Sequence, residues 1–102
     1  MRLFSWNVNG IRAVQKKGFL DWLQKEQPDI LGLQETKAEL GQLNEELLKP
    51  AGYDTWWVSA STRKGYSGVA LYSKIPPKNV TLGLGLPEYD NEGRTIVAEP
   101  QN

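Results

Sequence analysis

Residues 3–8 alternate Leu3, Ser5 and Asn7 with Phe4, Trp6 and Val8, and Asn9-Gly10 breaks the pattern. That period of two predicts a strand. Across residues 11–26 the period changes: Phe19, Leu20 and Leu23 share one helical face. The segment therefore predicts a helix, most clearly in its second half. Gln27 precedes Pro28, and a residue before proline is driven out of helical backbone, so the helix ends there. Residues 29–34 are short and apolar without alternation, as a strand covered on both faces should be. Strand, helix and strand make a βαβ unit with parallel strands. Leu40, Leu43 and Leu47 predict an amphipathic helix stopped by Pro50 and Gly52. The remainder reads as β. Strands are expected over 53–58 and 69–73, joined by the polar stretch 59–67, with Ile75-Pro76-Pro77 turning the chain. A short strand over 80–82, a turn at Asp90-Asn91-Glu92-Gly93 and a strand over 94–99 complete the series. The expectation is an α/β fold: one mixed sheet with flanking helices, its last strand almost at the chain end.

Composition narrows the chemistry. Apolar residues at 39% and charged residues at 24% fit a soluble globular chain and not a disordered tail. At 102 residues the chain is one domain or part of one. No internal repeat, low-complexity tract or linker divides it. There is no cysteine and no histidine, which excludes disulfides, thiolate sites and histidine-held zinc. A metal here must be a hard ion held by oxygen. The apolar runs are too short for a membrane helix, and Met1-Arg2-Leu3-Phe4-Ser5 lacks a signal-peptide core. A cytoplasmic protein is expected. Twelve basic and twelve acidic residues cancel, so attraction to nucleic acid would have to come from a local cluster. Arg12, Lys16 and Lys17 form one candidate, and Arg63-Lys64 beside Tyr66 another; an ordinary solvated face has the same look.

In a βαβ unit, ligands gather beyond the carboxyl ends of the strands. Asn7, near the end of the first predicted strand, and Glu35, just past the second, occupy that place. An amide oxygen beside a carboxylate suits magnesium, which takes few protein oxygens and keeps its waters for substrate phosphate. Such an ion polarises a phosphoryl oxygen and stabilises a leaving oxyanion. By spacing alone, a turn-starting asparagine with a solvated carboxylate is the better reading.

Longer strings carry more. Ser5-Trp6-Asn7-Val8-Asn9-Gly10-Ile11-Arg12-Ala13 resembles the opening motif of the exonuclease III family of DNA-repair nucleases. Leu33-Gln34-Glu35-Thr36-Lys37 resembles its second motif. Gly65-Tyr66-Ser67-Gly68-Val69-Ala70-Leu71-Tyr72-Ser73 resembles the third, and Asp90-Asn91-Glu92-Gly93-Arg94 with Ile96-Val97-Ala98-Glu99 a fourth. The four stand in family order from residue 1 to about 99, leaving 100–102 as a non-matching tail. The resemblance implies the N-terminal part of a four-layered, DNase I-like α/β sandwich with its site at one rim. It also implies metal-dependent phosphodiester hydrolysis on duplex DNA, at abasic sites or 3′ ends, with magnesium or manganese as cofactor. By matching positions, Glu35 is implied as metal-binding glutamate and Asn7 as its neighbour in the metal and phosphate site. Arg12, Ala13 and one of Lys16 or Lys17 match DNA-gripping positions, as do Gly65 and Tyr66. Lys37, after Glu35-Thr36, fits the DNA-repair branch better than the phosphatases or RNA-directed nucleases of the wider superfamily.

The departures matter equally. Asn9 stands where some members carry aspartate, which bears on metal binding. The family's water-activating Gly-Asp-x-Asn segment and its Asp–His pair have no counterpart here. The chain is therefore expected to be a truncated fragment, inactive alone. The alternative function is a non-catalytic DNA-binding or structural piece. One face of its sheet should be left open and the edge near residues 94–99 unpaired. A missing C-terminal part or self-association would then cover that face.

Overall fold

The computed structural model describes residues 2–60, 67–82 and 96–99. Gly65, Tyr66, the Arg63-Lys64 pair and the turn expected at 90–93 lie outside the described residues. The first strand, β1 (Leu3–Asn7), is followed by two helices, α1 (Ile11–Lys16) and α2 (Phe19–Glu26), and then by β2 (Ile30–Gln34). The single helix expected over 11–26 is thus two. Lys17 leaves helical backbone and Gly18 takes a left-handed conformation at φ 99°, which a side chain would oppose. The second helix ends at Gln27, in the position the proline dictates.

The expected amphipathic helix over 40–47 is also interrupted. A 3-10 turn spans Leu40–Gln42, and α3 covers only Glu45–Leu48. Asn44 starts α3 by accepting from Leu47 N at 3.1 Å. That amide acceptor favours the start of a new helix over continuation of an old one. Then come β3 (Asp54–Val58), β4 (Val69–Ser73), β5 (Asn79–Leu82) and β6 (Ile96–Glu99).

The main sheet has the order β1-β2-β4-β3, with β1 and β2 parallel and the other neighbours antiparallel. The mixed, α/β reading holds, with one correction. The last strand does not extend this sheet: β6 pairs antiparallel with β5, Asn79 opposite Glu99, as a separate two-stranded sheet. One edge of β6 is therefore paired, against the expectation of an unpaired one. The reach of a hairpin partner in sequence, β5, is the physical reason: antiparallel neighbours need no crossover.

The core lies between the main sheet and the helices. Phe4 and Trp6 of β1 face α2, where Trp6 meets Trp22 with ring centroids 5.0 Å apart at 64°. Leu31, Leu33, Ala70 and Tyr72 continue that face, closed by Phe19, Leu23 and Leu47. Burying Phe19 and Leu23 contributes about 1.5–3 kcal/mol each, more than the intrinsic helicity of an eight-residue helix supplies. The buried Tyr53 and Tyr72 hydroxyls donate to Pro28 O and Leu47 O, both at 2.6 Å. These bonds tie β4 and the β3 approach to the helical layer.

The opposite face carries Ser5, Gly32, Leu71 and Trp56 in one transverse row, and Asn7, Gln34, Val69 and Val58 in the next. Leu3 on this face is 67% exposed. Ile96 of β6 approaches it and helps line an open pocket of about 180 Å³ with Gly32, Leu71 and their neighbours.

Candidate functional site at the rim of the parallel pair

Parallel pairing sets Asn7 opposite Gln34, so Glu35 emerges beside the end of β1. The ladder then runs on past both strand ends. Val8 N donates to Gln34 O at 3.0 Å, Gly10 N to Glu35 O at 2.8 Å and Ile11 N to Thr36 O at 2.9 Å. On the other side Thr36 N donates to Gly68 O at 3.1 Å and Lys37 N to Ser67 O at 2.7 Å. The Glu35-Thr36-Lys37 segment is clamped between two loops.

Inside the clamp the backbone is unusual. Glu35 and Lys37 have φ of 53° and 54°, and Asn9 has 47°. Left-handed backbone costs a residue with a side chain roughly 1–2 kcal/mol. It persists where surroundings over-determine it, and such sites cluster at functional rims. Asn9 accommodates this region more readily than most residues. Here the alternation turns the side chains of Glu35 and Lys37 toward solvent and that of Thr36 inward. Thr36 is 1% exposed, while the Glu35 side chain is 44% exposed.

At the rim, Asn7 Nδ2 donates directly to Glu35 Oε2. Asn7 Oδ1 accepts from Asn9 N at 3.0 Å, so the amide is held at both ends. Lys37 Nζ donates to Asn9 Oδ1 at 2.5 Å and stands 4.0 Å from Glu35 Oε1. The four side chains form one connected polar patch. Asn7 meets the carboxylate as a donor in this arrangement, and its Oδ1 keeps a second lone pair for another partner.

Among the described residues no cluster of three or more acidic side chains surrounds a metal position. Asp29 is engaged elsewhere, accepting from Arg2 N at 2.6 Å. That bond, opposed in part by desolvation and helped by Lys74, holds its carboxyl below the usual range. Asp54 pairs with Lys49 at 3.0 Å. One carboxylate and one amide oxygen fit magnesium or manganese only with waters completing the shell, which is how magnesium is commonly held. The exposure of Glu35 leaves room for them.

The other expected residues are partly gathered here. Arg12 and Ala13 are exposed on the first turn of α1, directly after the Asn9-Gly10 loop. Lys16 and Lys17 are exposed at the far end of α1. At 1.5 Å per residue, Lys16 stands about 7.5 Å further along the axis than Ile11. The basic side chains are thus strung along α1. Sequence reading missed Thr36 and Gly68, although both lie inside quoted motifs. The available signal was the position of Thr36 between two rim residues, which forces its side chain inward.

Comparison with known proteins matches this geometry to a lineage. The sequence pattern of the Endonuclease/Exonuclease/phosphatase family fits residues 4–101. The chain belongs to that family. An exodeoxyribonuclease of Bacillus subtilis is 48% identical over 103 residues, covering 100% of this chain and 39% of that protein. The zebrafish (Danio rerio) DNA repair nuclease APEX1 is 48% identical over 100 residues, covering 97% of this chain and 32% of that protein. An AP endonuclease structure from Archaeoglobus fulgidus superposes with a TM-score of 0.79 at 32% identity, over 99% of this chain and 37% of that one. The chain thus spans 32–39% of the length of these relatives. The family's fold includes this sheet and its helices.

Proposed function

We propose that the Asn7–Glu35 rim is the metal and phosphate portion of a DNA-repair nuclease site, of the exonuclease III and abasic-site endonuclease type. The observation that carries this reading is the direct contact of Asn7 with Glu35 at the carboxyl end of a parallel strand pair. Glu35 would hold magnesium or manganese, with Asn7 Oδ1 adjoining. When bound, the ion supplies positive charge to a phosphoryl oxygen and to the leaving oxygen. Asn7 orients the carboxylate through its amide. Lys37 and Asn9 fix each other beside it, and the Lys37 ammonium offers a phosphate a second positive charge. Arg12, Lys16 and Lys17 grip the backbone of duplex DNA further along α1, and Gly65 and Tyr66 add to that grip. Such contacts position DNA without reading its sequence.

Hydrolysis also needs a water made nucleophilic. Among the described residues, Asp29 is bonded to Arg2 and Asp54 to Lys49, and Asp21 stands in α2 and not on the loops that form the rim. The 102-residue chain alone is therefore proposed to bind an ion and DNA without cutting. The test is an abasic-site duplex incubated with magnesium and purified chain, beside Glu35→Gln. Binding without cleavage is expected. Cleavage that depends on Glu35 would overturn the inert part of this reading, and absence of duplex binding would overturn the DNA part.

A further inference from the structure

The Glu35 carboxylate sits on a backbone that its own side chain disfavours, and something must hold it there. The hydrogen bonds on either side fix the strand-like track of residues 34–37, but they leave open how Thr36 is seated. Its side chain is buried, its Oγ1 has no hydrogen-bond partner, and it lies against Gly68. Gly68 is itself left-handed at φ 91°. A methyl group built on Gly68 would collide with Thr36 Oγ1 and come within 3.6 Å of Lys37 N. The hollow that receives Thr36 exists only because residue 68 has no side chain. A buried hydroxyl without a partner is otherwise unfavourable, so hydrogen bonding is not what recommends threonine here. Its shape does: it fills the hollow and stops the segment from rotating.

We infer that Thr36 and Gly68 act as a pair of positioning residues, a seat and its plug, that set the Glu35 carboxylate against Asn7. This rests on Glu35 being the metal-binding carboxylate. Neither residue touches ion or substrate. Displacing Thr36 rotates the segment about the clamp, and Glu35, one residue away in left-handed backbone, swings off Asn7. Lys37 moves with it and leaves Asn9.

The test uses the 102-residue chain labelled with nitrogen-15, titrated with magnesium. Two readouts are followed: the apparent magnesium affinity, and the Asn7 side-chain amide resonance, which reports the bond to Glu35. The first control is Glu35→Gln, expected to abolish binding. Gly68→Ala is expected to weaken magnesium about tenfold and shift the Asn7 resonance in protein that remains folded. The double variant Gly68→Ala with Thr36→Ala removes the colliding hydroxyl but keeps the left-handed strain at residue 68, and is expected to bind more tightly than Gly68→Ala alone. A structural role alone would make the double variant worse than either single one. If wild type binds through Glu35 and folded Gly68→Ala binds equally well, the inference is wrong. If wild type shows no Glu35-dependent binding, the metal reading fails, and an unmoved Asn7 resonance in Gly68→Ala overturns the positioning inference separately. Should Gly68→Ala not fold, Thr36→Ala decides. About threefold weaker binding with a shifted Asn7 resonance supports the seat, and unchanged behaviour overturns it.

Discussion

Lys37 is the residue on which the rim's electrostatics turn. Its ammonium stands 4.0 Å from Glu35 Oε1, close enough to compete with a divalent ion for the same carboxylate. Two unit charges at that distance in water interact by about 1 kcal/mol, and an exposed pair delivers no more than that. Replacing Lys37 with methionine is thus expected to strengthen manganese binding roughly two- to fivefold, by the Coulomb figure just given. The same change removes a cation from the DNA face and is expected to weaken duplex binding. Calorimetric titration of manganese, paired with a duplex-binding assay, checks both. Movement of the two affinities in the same direction would contradict this placement of Lys37. At this scale the meeting of Asn7 with Glu35 was legible, because both are polar groups at the ends of strands that pair in parallel. The site was illegible where the residue type is unremarkable. Thr36 and Gly68 act through shape, and shape depends on the neighbouring loop that folding brings alongside.

Elements show the same division. The β1–β2 parallel unit follows from alternation and from the length between the strands, and both strands formed where expected. The helices were harder to bound. Gly18 splits one and the Asn44 cap restarts another, and each is a local backbone event inside an apolar pattern that continues across it. The pairing of β5 with β6 was not legible either, since a short strand has the same pattern in any sheet. Within the layer, Tyr72 links β4 to α3 through its bond to Leu47 O. Burial pushes its phenol well above the usual tyrosine range. The folded state therefore favours the neutral phenol, while the unfolded chain ionises near pH 10. This contribution to stability is complete below that pH and declines as pH rises above it. Tyr72→Phe is expected to cost about 1–3 kcal/mol at neutral pH by leaving the Leu47 carbonyl without its partner. It is also expected to flatten the alkaline part of the stability curve. Chemical denaturation at pH 7 and above pH 10 checks both, and an equal alkaline decline in the variant would contradict the assignment to Tyr72.

For the whole molecule, zero net charge makes local placement decisive. Arg12 and Ala13 follow the rim loop, and Lys16 and Lys17 extend the basic line along α1. DNA bound there would lie across the rim and along the helix. Arg12→Ala is expected to weaken binding about equally for all sequences and to lower the salt dependence by about one phosphate contact. Affinity measured across a salt series checks this, and an unaltered slope would return Arg12 to the solvated surface. The sheet face away from the helices is the second whole-molecule feature: it carries the exposed Leu3 and the half-buried Leu71, Trp56 and Val58, with Ile96 against part of it. An ion at the rim can be seen directly. Crystals of the chain soaked in manganese should give an anomalous difference peak about 2.1–2.2 Å from a Glu35 oxygen, close to the distance hard divalent ions adopt. Asn7 should adjoin that peak, and it should vanish in Glu35→Gln. A peak bound elsewhere, with the Asn7–Glu35 contact left intact, would contradict the account.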